Sequence, residues 1–159
     1  MAFRILVVDD YKPWHGFIAS VLQRMPECQI IGEALDGITA VQKAKELQPD
    51  LVFMDIGLPQ LNGIEAARQI REFVPACKIL FVSENRTPEI AEEALNTGGG
   101  GYVVKSDAGC ELLPAIKAVL EGKRFISASL AGQFLVATAL TSTQAMTLSW
   151  MSMLISGIH

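Results

Sequence analysis

At 159 residues, half of them apolar, the chain has the length of one ordinary domain and enough hydrocarbon to bury a core, which excludes wholesale disorder and two full-sized domains. Seventeen acidic residues against thirteen basic leave a net charge of −4, the wrong sign for a module that neutralises phosphate backbones. Cys28, Cys77 and Cys110 are odd in number and far apart, so they suggest neither a disulfide framework nor a zinc site, and a reduced, cytoplasmic compartment is expected.

From the N-terminus, the apolar run Phe3 to Val8 reads as a strand cut off by Asp9 and Asp10, too short for the apolar region of an export signal. A helix follows over about Pro13 to Met25, with proline in the first turn, where no intrahelical N–H is needed. A second strand spans Gln29 to Ala34 and a second helix Gly37 to Leu47. The third strand, Leu51 to Met54, ends at Asp55 and the turn Ile56-Gly57-Leu58-Pro59, and a helix covers Gly63 to Phe73. The fourth strand, Lys78 to Val82, ends at Ser83 ahead of a helix over Pro88 to Asn96. The fifth, Gly101 to Val104, ends at Lys105, and a last helix covers about Cys110 to Glu121, where Pro114 sits uncomfortably and blurs the start. Alternating strands and helices, with several strands apolar at consecutive positions, predict an α/β fold: a doubly wound, five-stranded parallel sheet covered on both faces.

All the charged side chains fall between Arg4 and Arg124. The folded domain is therefore placed at residues 1–125 and an uncharged, apolar tail at 126–159. Thr141, Ser142, Thr143 and Gln144 interrupt the tail, so a membrane span is not expected. An extra helix that packs on the domain or on a second copy, giving a homodimer, is expected instead, or else a poorly ordered extension.

An open parallel sheet builds its site at the carboxyl ends of its strands. Here those ends are Asp9 and Asp10, Asp55, Ser83 and Lys105, and they lie side by side only in the strand order 2-1-3-4-5. Three carboxylates in one crevice repel one another and call for a cation. Oxygen-only ligands favour a hard ion that keeps several waters, which reads as magnesium. Asp10 and Asp55 are the candidates for direct ligands, Asp9 acts through water, and the Gly57 carbonyl is a further oxygen. With the charge screened, Asp55 is placed to act as nucleophile toward a phosphoryl group. Lys105 then holds one phosphoryl oxygen and the Ser83 hydroxyl donates to another, giving an aspartyl phosphate. Taken singly, Asp9, Asp10, Asp55 and Ser83 read as helix or turn caps and Lys105 as a solvated lysine. Independent caps, however, have no reason to fall on the ends of the strands that this order makes neighbours.

The same residues carry a resemblance. Asp9-Asp10 after Ile-Leu-Val-Val, Asp55 followed by Pro59 and Gly63, Ser83 after Ile-Leu-Phe-Val, and Gly101-Tyr102-Val103-Val104-Lys105 together resemble the receiver domain of two-component response regulators, over roughly residues 3 to 125. The resemblance implies a flavodoxin-like receiver fold and phosphorylation of Asp55 from a phosphohistidine on a sensor histidine kinase. It also implies a magnesium requirement and a domain that is no turnover enzyme but catalyses phosphoryl transfer to and from its own aspartate. Tyr102 stands at the family's switch position, where it turns inward as Ser83 moves toward the phosphate.

Two positions depart from the pattern. Glu84 follows Ser83 where the family keeps a small residue, which is expected to narrow access to Asp55 and slow turnover. Ser106 follows Lys105 in place of the common proline, as in regulators with a helix-turn-helix output; yet residues 128–159 hold no basic residue, so no DNA-binding domain is evident. A haloacid dehalogenase phosphatase would need a second aspartate two residues after the one ending the first strand, where Tyr11 and Lys12 stand instead. A phosphorylation-inert pseudo-receiver, an interaction module, is the other alternative. Gly98 to Gly101 precede a strand instead of opening a helix, so they read as a flexible loop and not a phosphate cradle. His15 and His159 have no ligand partners at useful spacing, and Trp14 either shields the crevice or simply packs.

Overall fold

The computed structural model describes residues 2–132. The chain divides into two units, Met1–Ser127 and Ala128–His159, the second described only over residues 128–132, which are helical. The expectations for the remainder of the tail, residues 133–159, lie outside the described residues. Among the described residues no helix is long and apolar enough to cross a membrane.

In chain order the first unit comprises β1 (Phe3–Val8), α1 (Lys12–Leu22), β2 (Cys28–Ala34), α2 (Gly37–Leu47), β3 (Leu51–Met54), α3 (Gly63–Phe73), β4 (Lys78–Ser83), α4 (Pro88–Leu95), β5 (Gly101–Val104), α5 (Ala108–Leu120) and β6 (Phe125–Ile126). All pairings are parallel and the order is β2-β1-β3-β4-β5-β6, the expected arrangement with one strand added. The sheet thus has six strands, not five. β6 is two residues long and lies against Gly101 and Tyr102, covering the edge that β5 would otherwise leave open.

Both faces of the central strands are buried, as the consecutive apolar runs require. Ile5, Val7, Leu51, Phe53, Leu80, Val82 and Val103 share one core with Ile18 and Leu22 of α1 and Leu112, Ile116 and Val119 of α5. Side chains alternate along a strand, so Leu6, Val52, Met54 and Phe81 turn to the opposite face, where half of the buried residues of α2, α3 and α4 are alanines. Small side chains there let the helices approach the sheet closely.

Helix limits follow local chemistry. Asp36 caps α2, its carboxylate accepting from the Thr39 N–H at 2.7 Å, and the Asn62 side chain accepts from the Glu65 N–H at 3.0 Å to cap α3. α1 stops at Leu22, short of the expected Met25, because Pro26 pushes the residue before it out of helical geometry. α5 begins at Ala108, two residues earlier than expected, after a single 3₁₀ turn over Lys105–Asp107. It runs through Pro114, which has no N–H to give the Cys110 carbonyl, and both residues lie on the exposed side of the helix.

One glycine positions the loop that carries Asp55. The Gly63 N–H donates to the Ile56 carbonyl at 2.8 Å, and a Cβ on Gly63 would stand 1.8 Å from the Asp55 carbonyl oxygen. Gly63→Ala is expected to destabilise the fold by more than about 3 kcal/mol. Gly16 in α1 has nothing within 4 Å of an added Cβ, and Gly16→Ala is expected to stabilise by about 0.5 to 1 kcal/mol. Paired thermal unfolding curves of the two variants check both signs.

Candidate functional site

The backbone ladder runs one residue past the strand ends and fixes the acidic side chains. The Asp9 N–H donates to the Ala34 carbonyl at 3.0 Å and the Asp55 N–H to the Val8 carbonyl at 3.0 Å. Asp9 and Asp55 are thereby locked at the carboxyl rim, Asp9 from β1 and Asp55 from β3. Asp9, Asp10 and Asp55 each present a carboxylate oxygen within 4.8 Å of the others, with Asp10 exposed and the other two buried. Lys105, arriving from the end of β5, places its Nζ 2.6 Å from Asp9 Oδ2 and 3.7 Å from Asp55 Oδ2. Ser83 is buried at the end of β4, its Oγ accepting from the Asn85 N–H at 3.1 Å. All the side chains expected to converge do so, and Gly57 lines the same crevice with Tyr11, Glu84 and Asn85.

The electrostatics of this cluster are unbalanced. One ammonium faces three carboxylates. Burial pushes the Asp55 carboxyl above its usual range; Lys105 opposes this, Asp9 and Asp10 add to it, and the Ile56 N–H, donating to Asp55 Oδ1 at 2.8 Å, opposes it weakly. Asp9 Oδ1 accepts from the Tyr11 N–H at 2.8 Å, and the buried Oδ2 has Lys105 Nζ as its counter-charge at 2.6 Å. Three carboxylates with oxygens within 4.8 Å of one another and one ammonium shared between two of them are a donor set that fits a small, hard divalent cation.

Tyr102 is fully buried with its ring already turned inward, stacked near Phe81 at 6.3 Å between centroids, and its hydroxyl donates to the Asn85 carbonyl at 2.8 Å. Burial raises its phenol pKa, with the nearby Ser83 hydroxyl opposing. The sequence pattern gave no sign of Asn85, whose backbone joins Ser83 on one side and Tyr102 on the other. Trp14 does face the site: Lys105 Nζ lies 5.0 Å from its ring centroid, and the ring leans on Phe17. Glu84 is exposed at the mouth of the crevice. His15 is buried, with Nε2 at 2.7 Å from the Asp9 carbonyl oxygen and Nδ1 3.4 Å from Glu33. Spacing searches for ligand pairs overlook it because its partner is main chain. Gly98 to Gly101 are close-approach positions: a Cβ on Gly99 would lie 2.8 Å from the Phe81 ring, and one on Gly101 2.9 Å from the Phe125 carbonyl oxygen.

A parallel sheet in this order, with an acidic trio, an alcohol and an amine on its carboxyl rim, defines a doubly wound α/β domain with a polar site at the strand ends. The family model for the response regulator receiver domain matches residues 5–117, and the chain belongs to that family. It is 34% identical to the response regulator GacA of Pseudomonas viridiflava over 82% of this chain and 61% of that protein. It is 33% identical to the transcriptional regulatory protein LnrK of Bacillus subtilis over 83% of this chain and 60% of that one. The chain thus spans about three fifths of the length of these curated relatives. Among solved structures it resembles a LuxR-family two-component response regulator from Aurantimonas, at TM-score 0.82 and 34% identity, covering 87% of this chain and 99% of that one. It also resembles the response regulator domain of Thermotoga maritima CheB, at TM-score 0.70 and 31% identity, covering 76% and 98%.

Because burial lifts the Asp55 pKa above its unfolded value, Asp55 favours folding while protonated and loses that contribution as pH rises through its folded pKa. Without divalent cations, Asp55→Asn is therefore expected to melt higher than the parent at pH 7. The gap should shrink as pH falls through the raised folded pKa of Asp55 and be closed below the usual aspartate pKa of about 3.9, measured by thermal unfolding in EDTA across pH.

Proposed function

We propose that this receiver takes a phosphoryl group onto Asp55 from the phosphohistidine of a sensor histidine kinase, and that the phosphorylated form signals by protein contact. The observation that carries the reading is the convergence of Asp55, Ser83 and Lys105 beside Asp9 and Asp10 on one rim of the sheet. An Asp55 carboxylate oxygen attacks phosphorus as the bond to the histidine nitrogen breaks, and hydrolysis later returns the carboxylate and releases phosphate. Asp10 and Asp55 directly, Asp9 through water and the Gly57 carbonyl would hold magnesium, which when bound screens the repulsion between the two anions and stabilises the charge that develops. Lys105, already 3.7 Å from Asp55, turns from Asp9 to a phosphoryl oxygen. The Ser83 hydroxyl accepts from the Asn85 N–H, and its own proton would turn to another phosphoryl oxygen.

Tyr102 and Ser83 form the switch. The inward Tyr102, held by the Asn85 carbonyl, marks the arrangement that Ser83 engaged on phosphate stabilises, and the surface of α4 and β5 reads the change. A cytoplasmic setting fits the three free thiols, of which Cys28 and Cys77 are buried. Self-association and any output beyond the receiver belong to the same proposal. The inert pseudo-receiver is not favoured, since no expected phosphoacceptor residue is replaced.

Incubation with magnesium and acetyl phosphate, followed by intact mass, tests the reading. A phosphate-sized gain is expected that disappears in Asp55→Asn and in EDTA; no gain in the parent chain overturns it. Glu84 places a negative charge at the mouth, where it opposes the entry of anions and of the attacking water's developing charge. Glu84→Ala is expected to shorten the lifetime of the phosphorylated form by roughly fivefold, the worth of one unit charge about 4 Å away in water, read from decay of the same mass peak.

A further inference from the structure

At the amino-terminal edge of the sheet, the rim opposite the phosphoacceptor, lies a second cavity of about 320 Å³. Arg71 from α3, Lys78 at the first position of β4, and Lys123 and Arg124 after α5 line it, together with the backbone of Gly98 and Gly122. Among the described residues no carboxylate lines it. In a chain of net charge −4, four of thirteen basic residues around one small cavity is a marked segregation.

Arg71 is held in place. Arg71 donates from Nη1 to the Cys77 carbonyl at 2.8 Å, and its guanidinium lies flat against Gly98, where an added Cβ would stand 2.9 Å from Nε. Gly98 takes a φ of +91°, a conformation that leaves this face free of side chain. Lys78 Nζ stands 3.8 Å from where a Cβ of Gly122 would be. Arg71 and Lys78 are both half-buried, and among the described residues neither has a carboxylate within ion-pair distance; of the four, only Lys123 has one, Glu121 at 3.5 Å. Partly desolvated like charges gathered without counter-charges are held at a cost that a bound anion removes. The volume sits at the small end of ligand pockets, about 300 to 1,000 Å³, and suits a compact anion better than a strand of nucleic acid.

We propose that this cavity binds a compact multiphosphate anion, either inorganic pyrophosphate or the diphosphate of a nucleotide. Arg71 supplies a planar fork for one phosphate, Lys78 a point charge beside it, and Lys123 and Arg124 close over the second from the α5 turn. The glycines that read as a plain loop let the anion approach backbone without meeting a Cβ.

The test uses the full 159-residue chain carrying Asp55→Asn, in EDTA, which removes the phosphoacceptor and any route through magnesium. Pyrophosphate, ADP and adenosine are titrated while the amide resonances of ¹⁵N-labelled protein are followed. Saturable shifts centred on Gly98, Gly122, Lys123 and Arg124 are expected with pyrophosphate and ADP, weakening as salt rises. Equal affinities assign the site to the diphosphate alone, and tighter ADP binding adds a nucleoside contact; both support the proposal. R71Q/K78Q is expected to weaken binding by about tenfold or more. The exposed pair K123Q/R124Q, which carries no risk to the core, should weaken it severalfold. Acetyl phosphate labelling of R71Q/K78Q with Asp55 intact should be unchanged, which checks its fold. No shifts at millimolar pyrophosphate, equal binding by both double variants and the parent, or binding of adenosine alone would each overturn the proposal.

Discussion

Three carboxylates whose oxygens sit within 4.8 Å of one another, two of them buried, face a single ammonium from Lys105. Everything distinctive in the domain depends on that imbalance. With Lys105 alone the cluster is left with a net excess of negative charge, which adds to burial in pushing the Asp55 carboxyl upward. A divalent cation would neutralise the excess, and on the proposed reading an incoming phosphoryl group would then meet a site it can approach. The fold tolerates this because the strain sits at one rim, while both sheet faces are filled with apolar side chains.

The geometry is delivered by ladder bonds and close backbone contacts rather than by long side chains reaching in. Asp9 and Asp55 are fixed by their own N–H groups on neighbouring strands, and the turn after Asp55 is held by Gly63 pressed against it. The site is therefore stiff at the acidic pair. On the β4 side the Asn85 backbone connects Ser83 to the fully buried Tyr102, its N–H donating to the serine hydroxyl and its carbonyl accepting from the tyrosine hydroxyl.

Much of this was legible in the sequence because apolar runs ending abruptly in Asp, Ser or Lys mark strand ends, and the polar identity of those ends demands one strand order. β6 escaped because Phe125 and Ile126 form a strand of two residues inside an uncharged stretch, with no alternation to detect. The early end of α1 was written in Pro26, whose effect acts one residue upstream, and the early start of α5 was hidden by a 3₁₀ turn that keeps helical spacing. His15 and Asn85 were invisible for a common reason: each meets the site through backbone atoms, which sequence patterns of side-chain type do not encode. The inward pose of Tyr102 depends on space beside Ser83 that only packing reveals.

The excess negative charge can be measured by its appetite for a cation. Calorimetric titration of the metal-free chain with magnesium should show one ion bound per chain, with affinity falling by about tenfold or more in Asp10→Asn, whose exposed carboxylate can be neutralised without disturbing the core. Absence of binding at millimolar magnesium, or an affinity indifferent to Asp10, would mean that the acidic trio is not a single electrostatic unit.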